Sequence, residues 1–196
     1  MTFRPPSSHP SSLEQAEHLR RSGRHTEAID VLSKVLTQSP DDIHALEELA
    51  DNELNLEHFD RAETAALHVL SLMPTSAVAL YILGAVYAHR ERFGDAVLHF
   101  RNANALAPNT PEILRALGFA LFQSGAETAG IATLERALSL EPANPLILCD
   151  LGVAHLSQGQ TERARTLLSE ALSIDAVSEC AKECADMLQR IEQNRS

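Results

Sequence analysis

The residues in this 196-residue chain best suited to chemistry are three cysteines, Cys149, Cys180 and Cys184. Cys180 and Cys184 stand at i and i+4, which puts two thiols on one face of a helix. Two ligands do not complete a zinc site, and a buried cysteine packs as a small hydrophobe. No metal and no cofactor are therefore expected. So sparse and odd a count is not a disulfide framework and requires no oxidising compartment. The nine histidines, at 9, 18, 25, 44, 58, 68, 89, 99 and 155, include no HxxxH or HExxH pair. No serine sits in a GxSxG setting, and no glycine-rich phosphate loop is present. Catalysis is not expected, and recognition is what remains.

Composition narrows the partner. Asp and Glu number 27 against 16 Lys and Arg, a formal charge of −11. That excludes a dedicated nucleic-acid binder, which needs concentrated Lys and Arg for phosphate contacts. Hydrophobic residues make up 44% but aromatics only 4%, with no Trp. Such a chain is not wholly disordered, and its core should consist of helices packed closely on small residues. The opening MTFRPPSSHPSS has no apolar run and no cleavage site. Residues 1–8 are expected to be a disordered lead. No stretch of 18 uncharged apolar residues occurs, so no membrane span and a cytoplasmic location are expected.

The elements that must position any site follow from an internal period. Pro40, Pro74, Pro108 and Pro142 are each 34 residues apart, as are Pro111 and Pro145. Counting back from them gives repeats 9–42, 43–76, 77–110, 111–144 and 145–178. The eighth place is always small (Ala16, Ala50, Gly84, Gly118, Gly152), and so is the twentieth (Ala28, Ala62, Ala96, Gly130, Ala164). Leu80, Leu83, Gly84 and Tyr87 form the stripe of one amphipathic helix, and Phe93, Ala96, Phe100 and Ala103 that of a second. Each repeat is thus predicted to be a helical hairpin whose small residues let two helix axes approach. Asp41, Thr75, Thr110 and Asn144 are the expected N-caps, with Pro111 and Pro145 at first helical positions. Gly23, Gly125 and Gly159 mark the turns inside hairpins. From the end of the fifth repeat into the segment 179–196, Val177, Ala181, Cys184, Leu188 and Ile191 form an apolar stripe. That segment is predicted to be a capping helix and tail, or alternatively a dimerisation helix.

This pattern resembles the tetratricopeptide repeat. The third repeat is the closest match, with Leu80, Gly84, Tyr87, Phe93, Ala96, Phe100, Ala103 and Pro108 in phase. The second departs from the pattern at its eleventh place, where Glu53 replaces an aromatic, and the first has Gln15 where leucine is usual. The resemblance implies an all-α fold, a right-handed solenoid of five helix–turn–helix repeats over 9–178 with a C-terminal capping helix.

It also implies where a ligand would lie. In that family the first helix of each hairpin lines a concave groove through its second, fifth, sixth, ninth, twelfth and thirteenth places. Carried over, these give Glu47, Glu48 and Asp51, then Tyr81 and Ile82, then Arg115, Phe119 and Phe122, then Leu146 and Val153. Arg20, Cys149, Asp150 and Leu156 fall on the same places. The family's Lys, Asn and Arg clamp for a chaperone's C-terminal carboxylate is missing, and Glu47, Glu48 and Asp51 would repel such a group. The second repeat holds seven acids against Arg61 alone, whereas the later groove places are apolar. The expected role is an adaptor that binds a protein or peptide segment with apolar anchors and a basic end. The alternatives are a cytosolic secretion chaperone, like those of type III translocator proteins, and a scaffold that associates with itself.

Overall fold

A computed structural model describes residues 11–177 and 179–193. The expected lead, 1–8, and the end of the tail, 194–196, lie outside them. Among the described residues there are eleven helices and no strand. They are α1 Ser12–Arg21, α2 His25–Gln38, α3 Ile43–Asn55, α4 Phe59–Leu72, α5 Ala77–His89, α6 Phe93–Leu106, α7 Pro111–Gln123, α8 Glu127–Leu140, α9 Pro145–Ser157, α10 Thr161–Ile174 and α11 Glu179–Gln193. The starts of α3, α5, α7 and α9 recur every 34 residues, as do those of α2, α4, α6, α8 and α10. Among the described residues no helix is long and apolar enough to cross a membrane.

The chain divides into two compact units, residues 1–90 and 91–196. In the N-terminal unit, α3 packs on both α4 and α5. Their core gathers Leu46, Ala50, Ala62, Ala66, Val69, Ala79, Ile82, Leu83 and Val86. In the C-terminal unit, Leu114, Leu134, Ala137, Ile147 and Leu151 form one cluster. A second joins Leu148, Cys149, Leu168 and Ala171 to Cys184 and Ile191 of α11.

The small residues at the eighth and twentieth places set these distances. A Cβ added to Gly130 of α8 would stand 2.7 Å from Phe122 N and 2.8 Å from Gly118 O, both backbone atoms of α7. Backbone thus meets backbone where α7 crosses α8, and neither position has room for a side chain.

Two expectations about the ends of elements are corrected. The N-caps of α3 and α5 are Asp42 and Ser76, which accept from Ala45 N and Ala79 N, instead of Asp41 and Thr75. Helices α3, α5, α7 and α9 begin at the first place of their repeats, so the cap belongs to the thirty-fourth place; Asp41 and Thr75 stand one residue too early. Thr110 and Asn144 do occupy that place. Asn144 Oδ1 accepts from Leu146 N and Ile147 N, while the Thr110 hydroxyl instead donates to Ala107 O. Val177 is the second correction. It precedes α11 and is 85% exposed, whereas Ala181, Cys184 and Ile191 are buried against α9 and α10.

The turns inside the hairpins follow the same period. Gly23, Glu57, Glu91, Gly125 and Gly159 all occupy the fifteenth place, and all five have φ between 57° and 89°. Three repeats meet that left-handed requirement with glycine, and two hold a glutamate there.

Candidate functional site

The first helices α3, α5, α7 and α9 carry most of the expected groove residues, and their sixth place separates surface from junction. In the N-terminal unit, Glu48 of α3 accepts from Arg20 Nε of α1 at 3.0 Å, and Arg20 also reaches Asp51 at 3.3 Å. In the C-terminal unit, Arg115 of α7 pairs with Asp150 of α9 at 3.0 Å. Burial raises the Asp150 pKa, and the facing Arg115 works against that shift. Ile82, at the sixth place of α5, is 0% exposed and shares a cluster with Leu46 and Ala50 of α3. It is therefore a core residue and not a groove residue. The physical reason is that α5 packs on α3, and α9 on α7, at this place. It holds a side chain that is either apolar, as Ile82 is, or paired across the junction, as Glu48 and Asp150 are.

Glu47 also makes a structural contact. It accepts from the Ser76 hydroxyl at 2.5 Å, and the same Ser76 oxygen caps α5. Its neighbours Glu48 and Asp51 take their counter-charge from Arg20, so the three carboxylates are not three free charges. Tyr81 is half-buried against the N-terminal core.

Exposed apolar side chains on α7 and α9 stand at the second and ninth places. In the C-terminal unit Phe119, Leu146 and Val153 are 37%, 43% and 36% exposed. The Phe119 ring meets that of Phe93 edge-on, with centroids 6.3 Å apart. Phe122 and Leu156, nearer the hairpin turns, are half-buried. Between the starts of α7 and α9 lies an open cavity of ≈ 340 Å³. Thr110, Glu112, Arg115, Glu141, Asn144 and Leu146 help to line it.

Exposure alone would not single out this face. Leu72, Leu106, Leu140 and Ile174 are also exposed, on the second helices. Those four share the thirtieth place, so they recur with the fold itself. Phe119 and Val153 do not recur: the ninth place holds Asp51 in the second repeat and Ala85 in the third. Side chains that depart from the period are the ones free to specify a ligand.

Two features escaped the sequence reading. At the eleventh place, where Leu19 and Leu121 are buried, polar Glu53 and His155 are buried as well. Glu53 lies 2.6 Å from His58 Nδ1. His155 has its pKa lowered, first by burial and then by Arg163. The second feature is Cys149, which joins Cys180 and Cys184 although it stands on a different helix. All three are free thiols.

A family model described as the tetratricopeptide repeat matches residues 19–86 and 121–186, more than half of the chain. Among solved structures, the chain is similar to TTC0263, a thermophilic protein of that class in Thermus thermophilus. Identity is 22% and the TM-score 0.78, over 91% of this chain and 97% of that one. It is also similar to MamA from Desulfovibrio magneticus, at 21% identity and TM-score 0.68, over 87% and 98% of the two chains. YrrB, described as having an unusual peptide-binding site, is 18% identical with a TM-score of 0.64, over 89% and 90%. No curated protein sequence matches the chain. At these identities the structural likeness establishes the fold.

Proposed function

The chain belongs to the tetratricopeptide repeat family, and from that premise we propose that it is a non-enzymatic adaptor whose first helices bind a peptide segment with apolar anchors. The family fold supports a protein-interaction role. A peptide ligand is further supported by the likeness to YrrB, whose structure is described as containing a peptide-binding site. The observation that carries the reading is the exposed set Phe119, Leu146 and Val153 on α7 and α9. Phe119 and Val153 depart from the repeat, and Leu146 lines a cavity that also offers the Arg115 guanidinium. An apolar side chain buried there would leave water, and a neighbouring peptide carbonyl could accept from Arg115. Phe122 and Tyr81, both half-buried, are lesser contributors.

In the N-terminal unit, Glu47, Glu48 and Asp51 favour a ligand that carries Lys or Arg. With Arg20 already against two of them, this is a preference of charge and not a second anchor.

A random peptide library displayed against the full chain tests the reading. The expected selection is a set of peptides with two or more large apolar residues and a basic end. Phe119→Ala and Leu146→Ala should each weaken the selected peptide at least tenfold while the helical circular dichroism is unchanged. Equal binding by the folded variants would remove the site. Light scattering over a range of concentrations addresses the self-assembling alternative, since a concentration-dependent polymer would overturn the adaptor reading.

A further inference from the structure

We propose that Cys149, Cys180 and Cys184 form a three-thiolate site for a soft monovalent ion of the Cu(I) class, tying α11 to α9. Cys180 and Cys184 are one helical turn apart on α11, and α11 packs on α9 so that Cys149 completes the face. The three sulfurs all lie within 4.8 Å of one another, and Cys149 Sγ and Cys184 Sγ are 2.9 Å apart. Metal–thiolate bonds of about 2.3 Å place three sulfurs around one ion at roughly 4 Å from each other. The triangle therefore needs an opening of about 1 Å on one edge and smaller changes on the others to close on an ion.

The position within the repeat gives the cluster its meaning. Cys149 and Cys184 are 35 residues apart, the same separation as Arg115 and Asp150. Both pairs join the fifth place of one first helix to the sixth place of the next. One junction is closed by an ion pair; the next, where α11 docks, carries thiols instead.

Coordination number and burial select the ion. Among the described residues no carboxylate or imidazole joins the three sulfurs. Cys149 and Cys184 are buried, so a fourth ligand from water is hindered, and Cys180, 3.8 Å from Pro145 O, is the least buried of the three. Zinc in structural sites takes four ligands, whereas soft thiolates also suit Cu(I), which is satisfied by fewer. Each thiol that binds releases its proton to solvent as its sulfur–metal bond forms.

The test titrates the reduced full chain with Cu(I) under anaerobic conditions in competition with a chromophoric Cu(I) chelator. One ion per chain should be retained, with a rise in the melting temperature. Cys180→Ser, at the half-exposed position, should weaken retention at least tenfold, and Cys149→Ala should do the same, with helical content preserved. Zn(II) offered in parallel should bind at least tenfold more weakly. Loss of all Cu(I) to the chelator overturns the site. Equal retention by folded Cys180→Ser, which leaves only a two-sulfur site, overturns the three-thiolate assignment, as does a preference for Zn(II).

Discussion

Arg115 on α7 donates to Asp150 on α9 at 3.0 Å, joining two consecutive first helices at the edge of the cavity proposed to receive a ligand. Arg20 does the same for Glu48 in the N-terminal unit. The bond therefore fixes the spacing of the helices that present Phe119, Leu146 and Val153.

Removing Arg115 leaves the largely buried Asp150 carboxylate without its counter-charge. Arg115→Ala is expected to cost about 1–3 kcal/mol in denaturant unfolding at neutral pH. The sign with pH follows from the Asp150 pKa, which burial raises and which loses the opposing pull of Arg115. A carboxyl with a raised folded pKa favours the folded state when protonated, so the loss should shrink as pH falls through that pKa. Arg115→Ala combined with Asp150→Asn should recover part of the stability at pH 7.

The contact of α7 with α8 gives a second expectation. Gly130→Ala forces a Cβ into α7 backbone that cannot yield like a side chain, and should cost about 1–3 kcal/mol. Gly94→Ala, in α6, meets nothing within 4 Å, so it should be neutral or stabilising by up to about 1 kcal/mol. Thermal melts of the two variants give this contrast directly.

Glu57 and Glu91 hold left-handed backbone at the place where three other repeats use glycine. Replacing either by Gly should stabilise the chain, by about 1 kcal/mol at most once the added freedom of the unfolded chain is counted. Calorimetry on Glu91→Gly and the double variant should show two similar increments.

His155 fills a core place that leucine fills in the first and fourth repeats. Its folded pKa lies below the ordinary 6.5, so the unfolded chain takes up a proton first as the medium acidifies. Protonation of this group adds no cost well above pH 6.5 and destabilises progressively as pH drops from there towards the folded pKa. His155→Leu should therefore gain on the parent protein between pH 7 and pH 5, read as a widening gap in urea midpoint.

The period was legible because its marks are residues that few others can replace: prolines between hairpins, and small side chains where backbones touch. Ile82 was misplaced because a family's groove places describe where a side chain points, whereas its burial depends on how closely the next first helix sits. The caps of α3 and α5 were missed by one residue since Asp41 and Asp42, like Thr75 and Ser76, are adjacent and chemically alike; only the first hydrogen bond of the helix distinguishes them. The role of Cys149 needed the knowledge that fifth and sixth places of successive first helices meet. The offset of 35 residues that Cys149–Cys184 shares with Arg115–Asp150 carries that signal.

The links between hairpins reach only a short way back along the chain. Arg20 to Glu48 spans 28 residues, Ser76 to Glu47 29, Arg90 to Glu63 27, Arg163 to Glu135 28 and Arg115 to Asp150 35. None of these bonds waits for a distant segment, so on the ribosome each hairpin finds its partners within about one further repeat of synthesis. The Ser76 hydroxyl shows the direction of this order. The start of α5 is capped by the same hydroxyl that donates to Glu47 of α3, a helix synthesised before it.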